Sequence, residues 1–68
     1  MITYRYQSLC TQWMEHIIKY ENDEPVQFMI LESPSPFYTK QWVKIDSNIN
    51  VSEDAVPITD IEAFAKIL

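Results

Sequence analysis

The chain has 68 residues, and its ten Asp and Glu outnumber its five Lys and Arg, which gives a formal net charge of −5. This length predicts a single domain over residues 1–68. A negative field repels phosphate backbones, so direct nucleic-acid binding is disfavoured and a basic protein surface is the favoured partner. The longest unbroken apolar run, residues 28–31, is too short to cross a membrane.

Glycine is absent, and cysteine occurs once, as Cys10. Phosphate-binding loops need glycine for close approach of the backbone, so those nucleotide sites are excluded. A lone cysteine forms no internal disulfide and favours the cytoplasm. Cys10 and the single histidine, His16, would lie about 9 Å apart along a helix, too far for a catalytic dyad. The sequence therefore predicts no enzyme activity, no cofactor and no metal site.

The clearest periodic pattern covers residues 8–21. Apolar and polar side chains fall on opposite halves of a 3.6-residue wheel, which predicts an amphipathic helix with Ser8 as its N-cap. Pro25 cannot continue a helix and marks its end. Residues 2–6 alternate like a strand, although a helix that begins at Thr3 is the open alternative. The apolar half of the wheel contains Leu9, Cys10, Trp13, Met14, Ile17, Ile18 and Tyr20.

The second half of the chain predicts two strands and a helix. Residues 26–31 are almost entirely apolar, as in a central strand, and residues 37–46 alternate, as in an antiparallel partner with Lys40 and Lys44 at the edge. Residues 47–50 predict a turn, in which Asn48 or Asn50 would take any positive φ, since no glycine is present. Residues 51–58 are predicted to be extended or irregular.

A capping box, Thr59 to Glu62, predicts a C-terminal helix over residues 60–67. Its apolar stripe would be Ile61, Phe64 and Leu68, with Ala65. The expected fold is therefore α+β: an amphipathic helix packed on a short antiparallel sheet, followed by a short C-terminal helix. Because small domains without bridges often gain stability by pairing, a homodimer is a further expectation.

Two clusters of carboxylates are the first candidate site. They are Glu21, Asp23 and Glu24, and Glu53 and Asp54. Negative side chains can replace phosphates in a basic groove, so the sequence predicts a small acidic module that binds another protein, including an inhibitor that imitates nucleic acid.

Aromatic residues on the predicted strand 37–46 are the second candidate site. Tyr38 and Trp42 share one face of that strand, and such residues are frequent interface anchors. If that face is exposed, the protein would instead be a structural or accessory subunit of a larger complex. A third reading combines these rings with Arg5, Lys40 and Lys44 as a weak nucleic-acid site.

Overall fold

A computed structural model describes residues 1–9, 14–31, 39–46 and 49–68. The described residues form five antiparallel strands and one short helix. In chain order these are β1 (Ile2–Leu9), β2 (Met14–Glu21), β3 (Glu24–Ile30), β4 (Val43–Lys44), β5 (Val56–Ile58) and α1 (Asp60–Ile67). The strands lie in one sheet in the order β4-β3-β2-β1-β5.

The predicted helix over residues 8–21 is wrong, and so is its alternative start at Thr3. The expected α+β fold, in which that amphipathic helix packs on a short sheet, is therefore also wrong, because the described chain is mostly sheet. Residues 14–21 are the central strand β2, and Ser8 pairs with Glu15 in the β1–β2 ladder instead of capping a helix. Residues 10–13 lie outside the described residues. Ile17 and Ile18 are both fully buried and point to opposite faces of the sheet. A strand covered on both faces has consecutive apolar residues, and such a run imitates the apolar half of a helical wheel.

Three strand predictions are confirmed in part. The strand predicted at residues 2–6 extends to Leu9, and the strand predicted at 26–31 is β3. Of the strand predicted at 37–46, only Val43 and Lys44 form β4, which does pair antiparallel with β3. Residues 39–42 form no strand, and residues 37–38 lie outside the described residues. Within the described residues, β4 pairs with β3 at Gln27–Lys44 and Phe28–Val43.

Two segments cover the two faces of the sheet. Because β4 and β5 lie at opposite edges, the chain between them must cross the sheet. Ile45, Ile49 and Val51 pack on Ile18 and its neighbours. Ile49 and Val51 belong to residues 49–52, which we call the crossing segment. This segment covers one face of the sheet, which we call the crossing face. The helix α1 covers the other face, which we call the helix face.

The helix face has its own apolar core. Ala63 of α1 is fully buried against Ile17 and Leu31, and Tyr4 and Ile67 pack around them. The capping box is confirmed: the Thr59 hydroxyl accepts a hydrogen bond from the Glu62 amide, and the Glu62 carboxylate accepts one from the Thr59 amide. Ala63 is the residue of α1 that is fully buried against the sheet, whereas Ile61 and Leu68 of the predicted apolar stripe are exposed and the ring of Phe64 lies 6.0 Å from that of Tyr4.

Candidate functional site

The first acidic cluster occupies the two-residue turn between β2 and β3. Glu21 and Glu24 are paired across the hairpin, and Asn22 and Asp23 have φ values of 52° and 68°. Two consecutive positive φ values are the signature of a type I′ turn, which Asn and Asp tolerate better than most residues. The predicted positive φ at Asn50 is wrong, and Asn48 lies outside the described residues. The helix end predicted here is in fact this turn.

The turn presents its charges to solvent. Glu21, Asp23 and Glu24 are all exposed. Carboxylates directly opposite each other in an antiparallel pair repel, so the Glu21–Glu24 pair costs the hairpin some stability. The amino group of Met1 donates a hydrogen bond of 2.8 Å to Asn22 Oδ1 and places one positive charge beside the turn. Three exposed carboxylates on four consecutive residues nevertheless leave the turn strongly negative.

The second acidic cluster lies towards the other end of the sheet. Glu53 and Asp54 are exposed in a turn that Ser52 closes, since its carbonyl accepts from the Ala55 amide at 3.2 Å. The Ser52 amide bonds to Gln7, whereas Glu21 pairs with Ile2. Five residues of an antiparallel strand span about 16 Å. The structure therefore does not bring the two acidic clusters together.

The aromatic candidates do not form an exposed pair on the described chain. Trp42 is half-buried on the helix face, where its ring lies 6.1 Å from that of Tyr4 and packs against the core around Ile17. The Lys19 ammonium lies 5.7 Å from the Trp42 ring centroid. Tyr38 lies outside the described residues. Trp42 is thus a partly buried residue that packs against the core.

Most of the cations of the chain contact other groups of the fold. Arg5 lies 4.7 Å from the ring centroid of Tyr20 on the crossing face, and Lys66 lies 4.4 Å from that of Tyr6 on the helix face. Lys40 donates a 2.8 Å hydrogen bond to the carbonyl of Ile67. Arg5 and Trp42 project from opposite faces of the sheet. The structure therefore does not bring these two residues of the predicted nucleic-acid site together.

A buried polar cluster on the crossing face was not foreseen from the sequence. Gln7 Oε1 accepts from the Ser52 amide at 2.7 Å, and Gln7 Nε2 donates to the Asn50 carbonyl at 3.1 Å. These two backbone groups fix the orientation of the amide. Its Nε2 then lies 3.5 Å from His16 Nδ1, and a hydrogen bond between the two atoms requires this ring nitrogen to accept.

Burial accounts for the electrostatics of His16. Its side chain is 3% exposed, and the ring of Phe28 packs edge-on at 5.8 Å. Desolvation disfavours the charged imidazolium and lowers the pKa of His16 below its ordinary value. The cluster joins the crossing segment to β1 and β2. Only the pairing of strands places Gln7 beside His16, so no signal in the linear sequence could have identified it.

An exposed apolar stripe on α1 is another feature of the described structure. Ile61 is 77% exposed, Phe64 51% and Leu68 100%. Their spacing puts them on one side of the helix, and we call them the outer stripe. The sequence identified these residues as apolar and helical but could not show that the smaller Ala63 would take the place against the sheet.

Within the described residues, no three His, Cys, Asp or Glu side chains are grouped so that they could hold a metal ion. In the same part of the chain, no helix has the length and apolarity needed to cross a bilayer. No protein-family model, curated protein or solved structure matches this chain.

Proposed function

We propose that the protein is a small acidic binding module that occupies a basic surface of a partner protein. Where that surface normally holds nucleic acid, the module acts as an inhibitor. The partner is recognised by its charge and by the shape of its surface, and the protein performs no chemistry on it. We place this role in the cytoplasm, since the lone Cys10 cannot form an internal disulfide.

One observation carries the proposal: three cations pack against aromatic rings, whereas the clustered carboxylates are exposed on turns. Arg5, Lys19 and Lys66 each lie over an aromatic ring. Ring contacts hold these side chains against the body of the protein. The carboxylates of the two acidic clusters are exposed on turns. An approaching protein therefore meets a predominantly negative surface, which steers and retains a basic partner.

The turn between β2 and β3 supports the proposal further and is the primary contact in it. The repulsion between Glu21 and Glu24, together with positive φ at the non-glycine residue Asp23, gives the turn a local cost in stability. Costs of this kind are expected where a function requires the residues. The Glu53 and Asp54 turn lies about 16 Å away along the strand direction, so it would contact a separate patch of the partner.

A salt-dependent capture experiment tests this function. The protein is immobilised, exposed to a host lysate at low and at high salt, and the captured proteins are identified by mass spectrometry. The variant carries Glu21→Gln, Asp23→Asn and Glu24→Gln, which remove charge but little volume. We expect a nucleic-acid-binding protein that is retained at low salt, released at high salt, and lost from the variant.

The variant should not lose binding through unfolding, because neutralising the Glu21–Glu24 pair removes a repulsion of about 0.2–1 kcal/mol. Its thermal midpoint, measured beside that of the wild type, provides the control. The matched variant Glu53→Gln with Asp54→Asn removes charge at the other turn and shows whether that patch contributes. A partner that binds wild type and both variants equally at high salt would contradict the proposal.

An accessory subunit of a larger complex is the second candidate function. The exposed outer stripe of α1 is the observation that favours it, since contiguous exposed apolar side chains often mark protein contacts. Trp42→Ala would be ambiguous here, because Trp42 also packs in the core. Ile61→Ser avoids that problem. A partner that survives high salt and the turn variant, but is lost with Ile61→Ser, would favour the subunit role.

A further inference from the structure

The side chain of Gln7 holds the crossing segment at two backbone groups. Its Oε1 accepts from the Ser52 amide at 2.7 Å, and its Nε2 donates to the Asn50 carbonyl at 3.1 Å. Gln7 is buried, so water does not easily replace either bond. Ser52 also begins the turn that carries Glu53 and Asp54, since its hydroxyl accepts from the Asp54 amide at 3.1 Å. The place of that turn therefore depends on Gln7.

A proton on His16 conflicts with both of these backbone bonds. A charged imidazole has a hydrogen on each ring nitrogen, so His16 Nδ1 would direct an N–H at Gln7 Nε2, which is itself a donor 3.5 Å away. If the amide turned its Oε1 to the ring instead, its Nε2 would face the Ser52 amide and its Oε1 the Asn50 carbonyl. Like groups would then meet at both positions. One amide thus cannot bond to the crossing segment and to a charged His16 together.

The other groups near His16 do not relieve this conflict. Arg5 of β1 is the charged residue on the same face, and its guanidinium lies 4.7 Å from the ring centroid of Tyr20 on β2. The strands β3 and β4 contribute Phe28, Ile30 and Val43 there, and the crossing segment contributes uncharged residues. The described carboxylates that flank β4 and the crossing segment are exposed, and none bonds to His16; they are Asp46, Glu53 and Asp54.

The sign of the pH dependence follows from burial of the ring. Desolvation lowers the pKa of His16 while the crossing segment covers it. When the segment opens, water reaches the ring and the pKa returns towards about 6.5. The open form then binds the proton more readily, so its population grows as the pH falls below about 6.5, by at most about tenfold per pH unit.

We propose that Gln7 and His16 form a proton-operated latch for residues 49–52. When His16 takes up a proton, Gln7 loses its two backbone bonds, and the crossing segment leaves its face while β1, β2, β3 and α1 stay folded. Release uncovers the core around Ile18 and frees the second acidic turn from its fixed position. The primary contact of the proposed function, the turn at residues 21–24, is not involved, so the latch does not rest on that function.

Amide exchange of the full chain, followed by NMR from about pH 7 to 5, tests the latch. The His16 ring resonances report its protonation in the folded protein. The Ser52 amide, which bonds to Gln7, reports the crossing segment, and the Ala63 amide, which donates to the Thr59 carbonyl at 2.9 Å, reports α1. After correction for intrinsic exchange, protection at Ser52 should fall severalfold, and at most about tenfold, between about pH 6.5 and 5.5, with Ala63 unchanged.

Two variants assign the effect to the latch. In His16→Gln the side chain can still accept from Gln7 but does not titrate, so protection at Ser52 should be level over the same range. In Gln7→Glu a carboxylate can accept from the Ser52 amide and from a charged His16 together, so protection at Ser52 should hold or rise as the pH falls.

Three results would overturn the latch. One is constant protection at Ser52 while His16 titrates in the folded protein. Another is equal loss of protection at Ser52 and Ala63, which means that the whole fold opens. The third is an unchanged pH profile at Ser52 in His16→Gln, and this comparison with the wild type decides the matter even if Gln7→Glu does not fold. None of these results bears on the capture experiment at residues 21–24.

Discussion

The two faces of the sheet are held in different ways, although each is centred on a fully buried isoleucine. On the helix face, Ile17 packs with Ala63 and aromatic rings, and Lys19 and Lys66 lie over those rings. On the crossing face, Ile18 packs under a segment without regular structure. Because the backbone of that segment lacks its own ladder, a side chain of the sheet must satisfy part of it. Gln7 provides those hydrogen bonds.

This difference predicts that the two faces respond to different perturbations. The helix face depends on apolar area and on a capped helix. The crossing face depends on a polar cluster that contains the only histidine of the chain. The outer stripe belongs to the first face and both acidic clusters lie on turns, so changes on the crossing face should alter stability more than binding.

The largest effect should come from Ile17→Ala and Ile18→Ala. Each side chain is fully buried, so each truncation should lower the free energy of unfolding by about 2–5 kcal/mol through lost transfer energy and a cavity. Urea titrations of the two variants measure this. Similar losses would show that both faces are equally packed. A loss below about 1 kcal/mol for Ile18→Ala alone would show that the crossing segment does not cover its face.

Gln7→Met should have the next largest effect. Methionine keeps the length of the side chain but leaves the Asn50 carbonyl and the Ser52 amide without this partner. The free energy of unfolding should fall by about 1–3 kcal/mol. Amide exchange should accelerate at Ser52 and much less at Ala63 of α1, which makes Ala63 the internal control. Equal acceleration at both positions would mean that the two faces open together.

Acid should weaken the crossing face through His16. Because burial lowers the pKa of the folded-state imidazole below about 6.5, the unfolded chain binds the proton more readily. Stability is therefore fully present above the unfolded-state pKa and falls with pH below it, until the folded-state pKa is passed. The steepest slope for one proton is about 1.4 kcal/mol per pH unit.

The groups around His16 allow the loss of stability in this pH range to be assigned to that residue. Gln7 and Phe28 contact the ring, Arg5 is the charged residue on the same face of β1, and residues 49–52 lie across that face. In His16→Gln the free energy of unfolding should be level from about pH 6.5 to 5.5. An unchanged slope in that variant would contradict the assignment.

The smallest effect should come from Thr59→Ala on the helix face. Loss of the hydroxyl that accepts from the Glu62 amide should cost about 1 kcal/mol, measured by thermal unfolding. The cap is remote from His16, so the pH dependence of the free energy of unfolding between about pH 5.5 and 6.5 should be the same as in the wild type. A changed pH profile would show that the faces are coupled.

Local signals predicted the ends of the fold better than its centre. Three elements could be predicted from local patterns, because alternation and caps are short-range features. They are the capping box at Thr59, the strand at residues 2–6 and the strand β3. The strand at residues 14–21 could not be predicted in this way, because a strand buried on both faces lacks the alternation of apolar and polar residues. Whether both faces are covered depends on the crossing segment and α1, which follow much later in the chain.

The candidate site was predictable in composition but not in arrangement. The exposure of Glu21, Asp23 and Glu24 follows from their place beside a turn, whereas their separation from Glu53 and Asp54 depends on strand order. Trp42 was expected at an interface, and packing against Tyr4 and Ile17 placed it in the core instead. The pairing of Gln7 with His16 required the register of β1 and β2.

The packing of both faces depends on residues 14–21 being the central strand of the sheet. Nuclear Overhauser spectroscopy of the labelled protein tests this directly. The account predicts cross-strand contacts between β1 and β2, such as Arg5 with Ile18 and Gln7 with His16, and between β2 and β3, such as Ile18 with Phe28. Contacts between residues three apart within 14–21, the pattern of a helix, would contradict it.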